Sequence, residues 1–255
     1  MFKTLKKHQF LLEELVKRDF KKKYKRSILG MGWSILSPLL MLLVMSLVFT
    51  RFFGRGMEHY TIYLFCGNLV FAYFNESATQ GMSALMSNAS IFSKINVPKY
   101  LFLLSKNVQT LINFALTLAV FFLFCIIDGV TFWWGFVMLL VPIVCLALFN
   151  IGLGMILSAM FVFFRDIQYL WTIFSQLLMY MSAIFYTVDG YPEWVQSLFY
   201  INPIYVFITY FRKIVLYGEI PSLLYHAWML GYSLIVVGIG ALIYKKNNHK
   251  FLYYV

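Results

Sequence analysis

Ionisable residues are scarce inside the apolar stretches of this sequence, and they limit the chemistry open to it. Glu76 lies near one end of an apolar stretch, and Asp128 and Asp189 lie at the ends of others. A charge at membrane depth is costly, so such groups are the first candidates for ion or proton handling, but a proton relay needs more of them. Glu76 also stands among Asn68, Asn75 and Gln80, a cluster that suits hydrogen bonding between helices, and Asn113, Asn150 and Gln176 suit the same role. His8, His59, His226 and His249 fall at ends and loops without the His-Glu-x-x-His spacing of a catalytic zinc helix. Cys66, Cys125 and Cys145 lie in or beside apolar stretches, far from metal-ligand spacing, and read as packing residues. No glycine is followed by lysine, so the phosphate-cradling loop of an ATPase is missing. The expectation is a chain with no catalytic residues, no metal and no cofactor of its own.

The elements that position these groups are membrane helices. Apolar residues make up 62% of the 255, in blocks as long as Trp134 to Phe164. About 20 consecutive apolar residues cross the hydrocarbon core as a helix, which satisfies its own backbone. A β-barrel would alternate apolar and polar residues in runs of about ten, and no such alternation occurs. The expected fold is all-α, with six spans: Ser34 to Phe53, Tyr60 to Gln80, Leu101 to Ile127, Trp134 to Phe164, Leu170 to Thr187 and His226 to Tyr244. The chain reads as one membrane domain over 1–255, with a basic arm at 1–33, the helical body at 34–244 and a tail at 245–255. The arm has no small-residue cleavage site after the first block and does not resemble a removable signal peptide.

Lysine and arginine are distributed unevenly. The arm holds ten, the loop after the second span three (Lys94, Lys99, Lys106), the loop before the fifth one (Arg165) and the tail three (Lys245, Lys246, Lys250). The opposite side holds Arg51, Arg55, Arg212 and Lys213. The positive-inside rule then puts both termini in the cytoplasm, and the net charge of +11 belongs to the membrane surface, not to nucleic acid.

Three segments between the spans carry further signals. In the arm, Leu12, Val16, Phe20 and Tyr24 recur every four residues with Lys17, Arg18, Lys21, Lys22 and Lys25 on other faces, which predicts a helix lying in the interface. Its charge serves either as a topology anchor or in handling an anionic substrate. Ser83 to Asn96 reads as a short cytoplasmic helix broken before Val97 and Pro98; it is either a connector or a surface that a motor subunit pushes. In the external stretch from Val188 to Tyr225, Asn202 suits an N-cap, Pro203 the first helical position and Gly218 a C-terminal stop. A helix of about 15 residues covers only ~22 Å, so this one is expected to be re-entrant or interfacial. With a shorter helix at Pro192 to Tyr200 it would narrow the outer mouth. Aromatic residues form a fifth of the chain, and most suit interfacial belts. Phe71, Tyr73, Phe74 and Tyr180 lie deeper and are candidates to line a pore, where flat faces with hydroxyl tips suit sugars.

The stretch Arg18-Asp19-Phe20-Lys21-Lys22-Lys23-Tyr24-Lys25-Arg26-Ser27-Ile28-Leu29-Gly30-Met31-Gly32-Trp33, followed by Ser37-Pro38, resembles the approach to the first span in permeases of type-two ATP-binding-cassette exporters, above all the O-antigen and teichoic-acid exporters. Lys94-Ile95-Asn96-Val97-Pro98-Lys99, Phe164-Arg165-Asp166-Ile167, Asn202-Pro203-Ile204 and Tyr210-Phe211-Arg212 follow in the same order as in that family. The resemblance covers essentially the whole chain. It implies a homodimer of six-span subunits in the bacterial cytoplasmic membrane, carrying two separate ATPase subunits that bind ATP and magnesium. The cargo would be a polymer on a polyprenyl pyrophosphate lipid, such as a lipopolysaccharide O-antigen or teichoic acid. By the same resemblance, Ile91, Phe92, Lys94, Asn96 and Pro98 belong to the helix that docks into the ATPase. Arg18, Tyr24, Arg26, Ser27, Gly30 and Trp33 belong to the gate near the lipid pyrophosphate, where the arginines could supply charge-assisted hydrogen bonds. Two rivals remain open: a type-two exporter of a drug or small lipid, and a polytopic membrane enzyme or scaffold that works without an ATPase.

Overall fold

The apolar blocks fold as helices, and no strand occurs among the residues that the computed structural model describes, which are 8–25, 29–53, 58–95, 97–248 and 250–254. The arm forms α1 (Gln9–Tyr24). A 3-10 turn at Gly30–Gly32 leads into α2 (Trp33–Phe53), and α3 (Tyr60–Ser83) follows. Next come a 3-10 turn at Met86–Asn88, the single-turn α4 (Ala89–Phe92) and α5 (Tyr100–Ile127). A 3-10 stretch at Trp134–Leu139 continues into α6 (Leu140–Phe163), and α7 (Ile167–Met181) follows. The chain ends with α8 (Glu193–Phe199), α9 (Pro203–Val215), α10 (Leu223–Asn247) and a 3-10 turn at Lys250–Leu252. Tyr100–Ile127, Trp134–Phe163 and Leu223–Asn247 are long and apolar enough to cross a membrane.

Helix α3 is the axis of the fold, touching α2, α5, α6, α7 and α9. That position explains its polar content: Asn and Glu side chains on a helix surrounded by protein meet donors and acceptors, not lipid. Glycines let the helices approach. A Cβ on Gly81 of α3 would stand 3.0 Å from the Gly154 Cα of α6. On the other face of α6, a Cβ on Gly152 would stand 2.5 Å from the Val237 nitrogen of α10, and one on Gly240 would stand 2.6 Å from the Gly152 carbonyl oxygen. Small residues at such crossings let backbones touch where dispersion, not hydrophobicity, drives association.

One expectation is corrected and another is narrowed. The fifth span, expected to run to Thr187, is helical only to Met181, and 15 residues cover only ~22 Å. The arm forms the expected helix and packs on α5 through Leu15 and Asp19, which are buried, while Leu12, Val16 and Phe20 are partly covered. The external helix forms as its caps predict, with Ile204 N–H donating to Asn202 Oδ1 at 3.0 Å and Gly218 at φ +64°. Of its two expected placements, interfacial and re-entrant, the interfacial one does not hold. Ile204, Val206, Phe207, Ile208, Tyr210 and Phe211 are fully buried, since α9 is wedged against α3, α6 and α10.

Candidate functional site

At one end of the bundle, α1, the 84–102 segment, the ends of α6 and α10 and the tail share a second apolar core, built on Leu15, Leu85, Phe92, Phe102, Tyr244 and Phe251. A charged cluster holds the arm to this core. Asp19 is 3% exposed, with Arg18 Nη2 at 2.7 Å and Lys106 Nζ at 3.0 Å from its carboxylate. The same Arg18 nitrogen donates to Asn88 Oδ1 at 2.7 Å, and Gln109 Nε2 donates to the Asp19 carbonyl at 3.4 Å. One buried carboxylate thus joins α1, α5 and the turn before α4. Among the pyrophosphate candidates, Arg18 is therefore already engaged with protein partners. Tyr24 ends α1, Gly30 opens the 3-10 turn at φ +51° and Trp33 is half exposed at the start of α2. Arg26 and Ser27 lie outside the described residues.

The cluster leads to a test. Replacing Asp19 by alanine leaves Lys106 facing a buried gap, and breaking a buried pair from one side costs on the order of 3 kcal/mol. The arm should then loosen, seen as faster trypsin cleavage at Lys21 and Lys22 while cleavage at Lys245 is unchanged. Equal cleavage rates in the two proteins would show that the cluster does not hold the arm.

Phe92 does not project outward as an anchor for a partner. It is 6% exposed, with its ring 5.9 Å from that of Phe102. A four-residue helix cannot fold alone, and Phe92 is the side chain that fixes it to α5. Ile91 packs beside it, Pro98 is half-buried and Asn96 lies outside the described residues. Lys94 and Ile95, the latter 46% exposed, form the open face of the segment. Lys99 stands between the segment and the tail: its amine donates to the Asn248 carbonyl and lies 5.8 and 5.7 Å from the Phe92 and Phe251 ring centres. Burial lowers its pKa from the ordinary lysine value. A cleft of 1060 Å³ opens here between the segment, the tail and the ends of α6 and α10.

The deep polar residues pair partly between helices and partly within α3. Between α3 and α5, Asn113 Nδ2 donates to Glu76 Oε1 at 3.2 Å and Ser77 Oγ to Asn107 Oδ1 at 2.8 Å, whereas Gln80 Nε2 donates to Glu76 Oε1 at 3.0 Å within α3. The α3 aromatics expected to line a pore are instead packed within this chain. Tyr73 meets Phe114 at 4.6 Å, Phe74 meets Trp171 at 5.9 Å, and Phe71 lies beside Phe74 at 5.8 Å, all three buried. Tyr180 is 53% exposed and keeps a free face.

At the opposite end lies the group that sequence reasoning treated as an external charge. Arg212 on α9 is 4% exposed and donates to the carbonyls of Ala183, Ile184 and Tyr63 at 2.9, 2.9 and 3.2 Å, with its guanidinium carbon 3.4 Å from the Tyr63 ring centre. The Tyr60 and Tyr63 hydroxyls donate to Phe185 and Tyr186 carbonyls at 2.7 and 2.6 Å. The carbonyls of residues 183–186 are free because α7 stops at Met181, and Ala183 takes φ +49°. Irregular backbone at membrane depth is tolerated where protein satisfies it, and α3 and α9 do so. The available sequence signal was an arginine in the last turn of an otherwise apolar helix. Nearby, His59 Nδ1 and Asp128 Oδ2 pair at 2.6 Å between the ends of α3 and α5.

The described residues thus form an all-helical bundle in which three helices are long and apolar enough to cross a membrane. The chain belongs to the ABC-2 type transporter family, whose model matches residues 11–216. It is 28% identical to the O-antigen export system permease protein RfbA of Klebsiella pneumoniae over 94% of this chain and 93% of the relative. It is 25% identical to RfbA of Myxococcus xanthus over 98% and 97%. Polysialic acid transport protein KpsM of Escherichia coli is 21% identical over 94% and 95%.

Proposed function

We propose that this chain is the transmembrane subunit of an ATP-driven exporter that moves a lipid-linked polysaccharide across the bacterial cytoplasmic membrane. The observation that carries this reading is the end-to-end likeness to permeases named for O-antigen and polysialic acid export. Two copies would form the channel, with two separate ATPase subunits below it. Both termini would lie in the cytoplasm and six spans would cross: α2, α3, α5, Trp134–Phe163, α10, and α7 continued by the unwound 182–188 stretch held by Arg212. Deleting the gene in its host should abolish the surface polymer and leave lipid-linked polymer inside the cell, and the intact gene should restore export. An unchanged surface polymer, with normal amounts of the protein in the parent strain, would refute the reading.

Force must reach a permease without a nucleotide site through contact. The open Lys94 and Ile95 face of the 91–98 segment supports a docking role there, with Phe92 acting from inside. Ile95→Asp should cost about 2 kcal/mol of ATPase binding, roughly thirtyfold. Phe92→Ala should instead loosen the segment by about 3 kcal/mol of packing and lower the thermal stability of the permease itself. Co-purification of the ATPase and melting of each variant separate the two. Full ATPase binding by Ile95→Asp would move the contact elsewhere, with the Arg165 to Tyr169 loop next. The gate near the lipid pyrophosphate is assigned to the 24–33 stretch, with Arg26, not the already paired Arg18, as the phosphate donor.

A further inference from the structure

The cleft between the 92–100 segment and the tail is lined by four basic side chains, His8, Lys94, Lys99 and Lys245, and, among the described residues, by no carboxylate. Lys99 is committed to the Asn248 carbonyl and two rings, whereas Lys94 and Lys245 are exposed and form no ion pair among the described residues. Two uncommitted ammonium groups at one mouth attract an anion. The floor is apolar, with Met155 of α6 and Ala241 of α10.

The direction of the groove on α10 indicates what kind of anion fits. Leu234, Gly238, Ala241 and Lys245 are spaced by four, three and four residues, so they share one face of the helix, and all four are exposed. That face is apolar and open at Gly238 and Ala241, with nothing within 4 Å of a Cβ at Gly238, then ends in an ammonium group at the cleft. Leu242 and Ile235 border it and are also exposed. A soluble acidic peptide would use the cleft and leave this stripe bare. A lipid would use both, with an acyl chain along the stripe and its phosphate between Lys245 and Lys94.

We propose that this cleft and the α10 stripe bind an anionic phospholipid of the cytoplasmic leaflet, placing its headgroup against the segment through which the ATPase acts. The leaflet rests on the topology proposed above. The site is separate from the 24–33 gate assigned to the cargo pyrophosphate. Each exposed lysine should be worth roughly a factor of five in retention of the lipid. A bound lipid would wedge the tail and the 92–100 segment in register, so export in cells poor in anionic lipid should fall.

The test is native mass spectrometry of the full-length permease, stripped of lipid and titrated with phosphatidylglycerol or phosphatidylcholine. The unaltered protein should retain phosphatidylglycerol preferentially. The double variant Lys94→Gln with Lys245→Gln should lose that preference, while Lys21→Gln with Lys22→Gln on the arm should keep it. Gly238→Leu, which fills the stripe and leaves both lysines, should also weaken retention, which a purely ionic contact would not. Equal retention by the Lys94/Lys245 double variant and the unaltered protein would overturn the proposal. So would loss of polyprenyl pyrophosphate binding, or of ATPase co-purification, with phosphatidylglycerol retention intact, since the cleft would then be a cargo port or a protein interface. Labelling of Lys245→Cys from outside intact cells would overturn the leaflet and the topology reading while the lipid-binding result stood.

Discussion

Arg212→Met is expected to destabilise the folded permease by about 3–5 kcal/mol and to abolish export. The guanidinium gives three buried carbonyls their donor, at 2.9, 2.9 and 3.2 Å, and methionine fills similar volume with no donor at all. Each carbonyl left unpaired in a low-dielectric interior costs about 1–3 kcal/mol, and the contact with the Tyr63 face is lost as well. Two of the three carbonyls, those of Ala183 and Ile184, lie in the backbone beyond Met181, which has no helical hydrogen bonds of its own to fall back on, while the third, that of Tyr63, lies within α3. Arg212→Lys should recover part of the stability, because one ammonium can meet some of the acceptors but lacks the planar fork. Gly67→Ala should mimic part of the defect, since its Cβ would stand 2.9 Å from Arg212 Nη2. Thermal melting in detergent, with a transport assay at matched protein levels, reads both effects. If Arg212→Met melts with the unaltered protein, the guanidinium is not the clasp of the α7 end.

The second large effect is expected at the crossing of α6 and α10, these two helices forming the most extensive contact of the fold. A Cβ at Gly152 would meet the Val237 nitrogen at 2.5 Å, the Val236 carbonyl carbon at 2.6 Å and the Val237 Cα at 2.7 Å. All three are backbone atoms, so no rotamer change relieves the clash and the helices must separate along their length. Gly152→Val should cost about 3 kcal/mol, the upper part of the range for overpacking, and shift the protein toward aggregation on gentle heating. Gly152→Ala should show a smaller loss of the same kind. Gly238→Ala is the control: nothing lies within 4 Å of its Cβ, and alanine favours helix over glycine, so stability should hold or rise slightly. Size-exclusion profiles after a temperature ramp distinguish the three. Unchanged profiles for Gly152→Val would mean that the close crossing is absent in the membrane.

Some features were decided locally and could be read from residue order. Hydropathy over 20 residues measures partition into lipid, so the long helices stand where the apolar blocks are. The Asn202, Pro203 and Gly218 signals act within one turn of the backbone, and α9 starts and its C-terminal stop falls where they predict. That Glu76, Gln80 and Asn113 would hydrogen-bond was legible because amides and carboxylates in apolar surroundings need polar partners, but the sequence grouped Glu76 with Asn68, Asn75 and Gln80 and did not pair it with Asn113.

Tertiary contact decided the rest, because hydropathy records how far a side chain avoids water but not which neighbour replaces the water. Phe92 looks the same in sequence whether it meets a partner or Phe102, and only the return of the chain through α5 closes it in. Asp19 is one acid among the arm's many bases, and its burial depends on Lys106 and Asn88 arriving from 87 and 69 positions away along the chain. Phe71, Tyr73 and Phe74 became core because α3 is surrounded, a property of the arrangement of its neighbours and not of its own residues. Arg212 shows the physical reason most directly. Its charge alone implies an exposed site, but carbonyls released by the early end of α7, 28 and 29 positions earlier, provide a buried one that satisfies it.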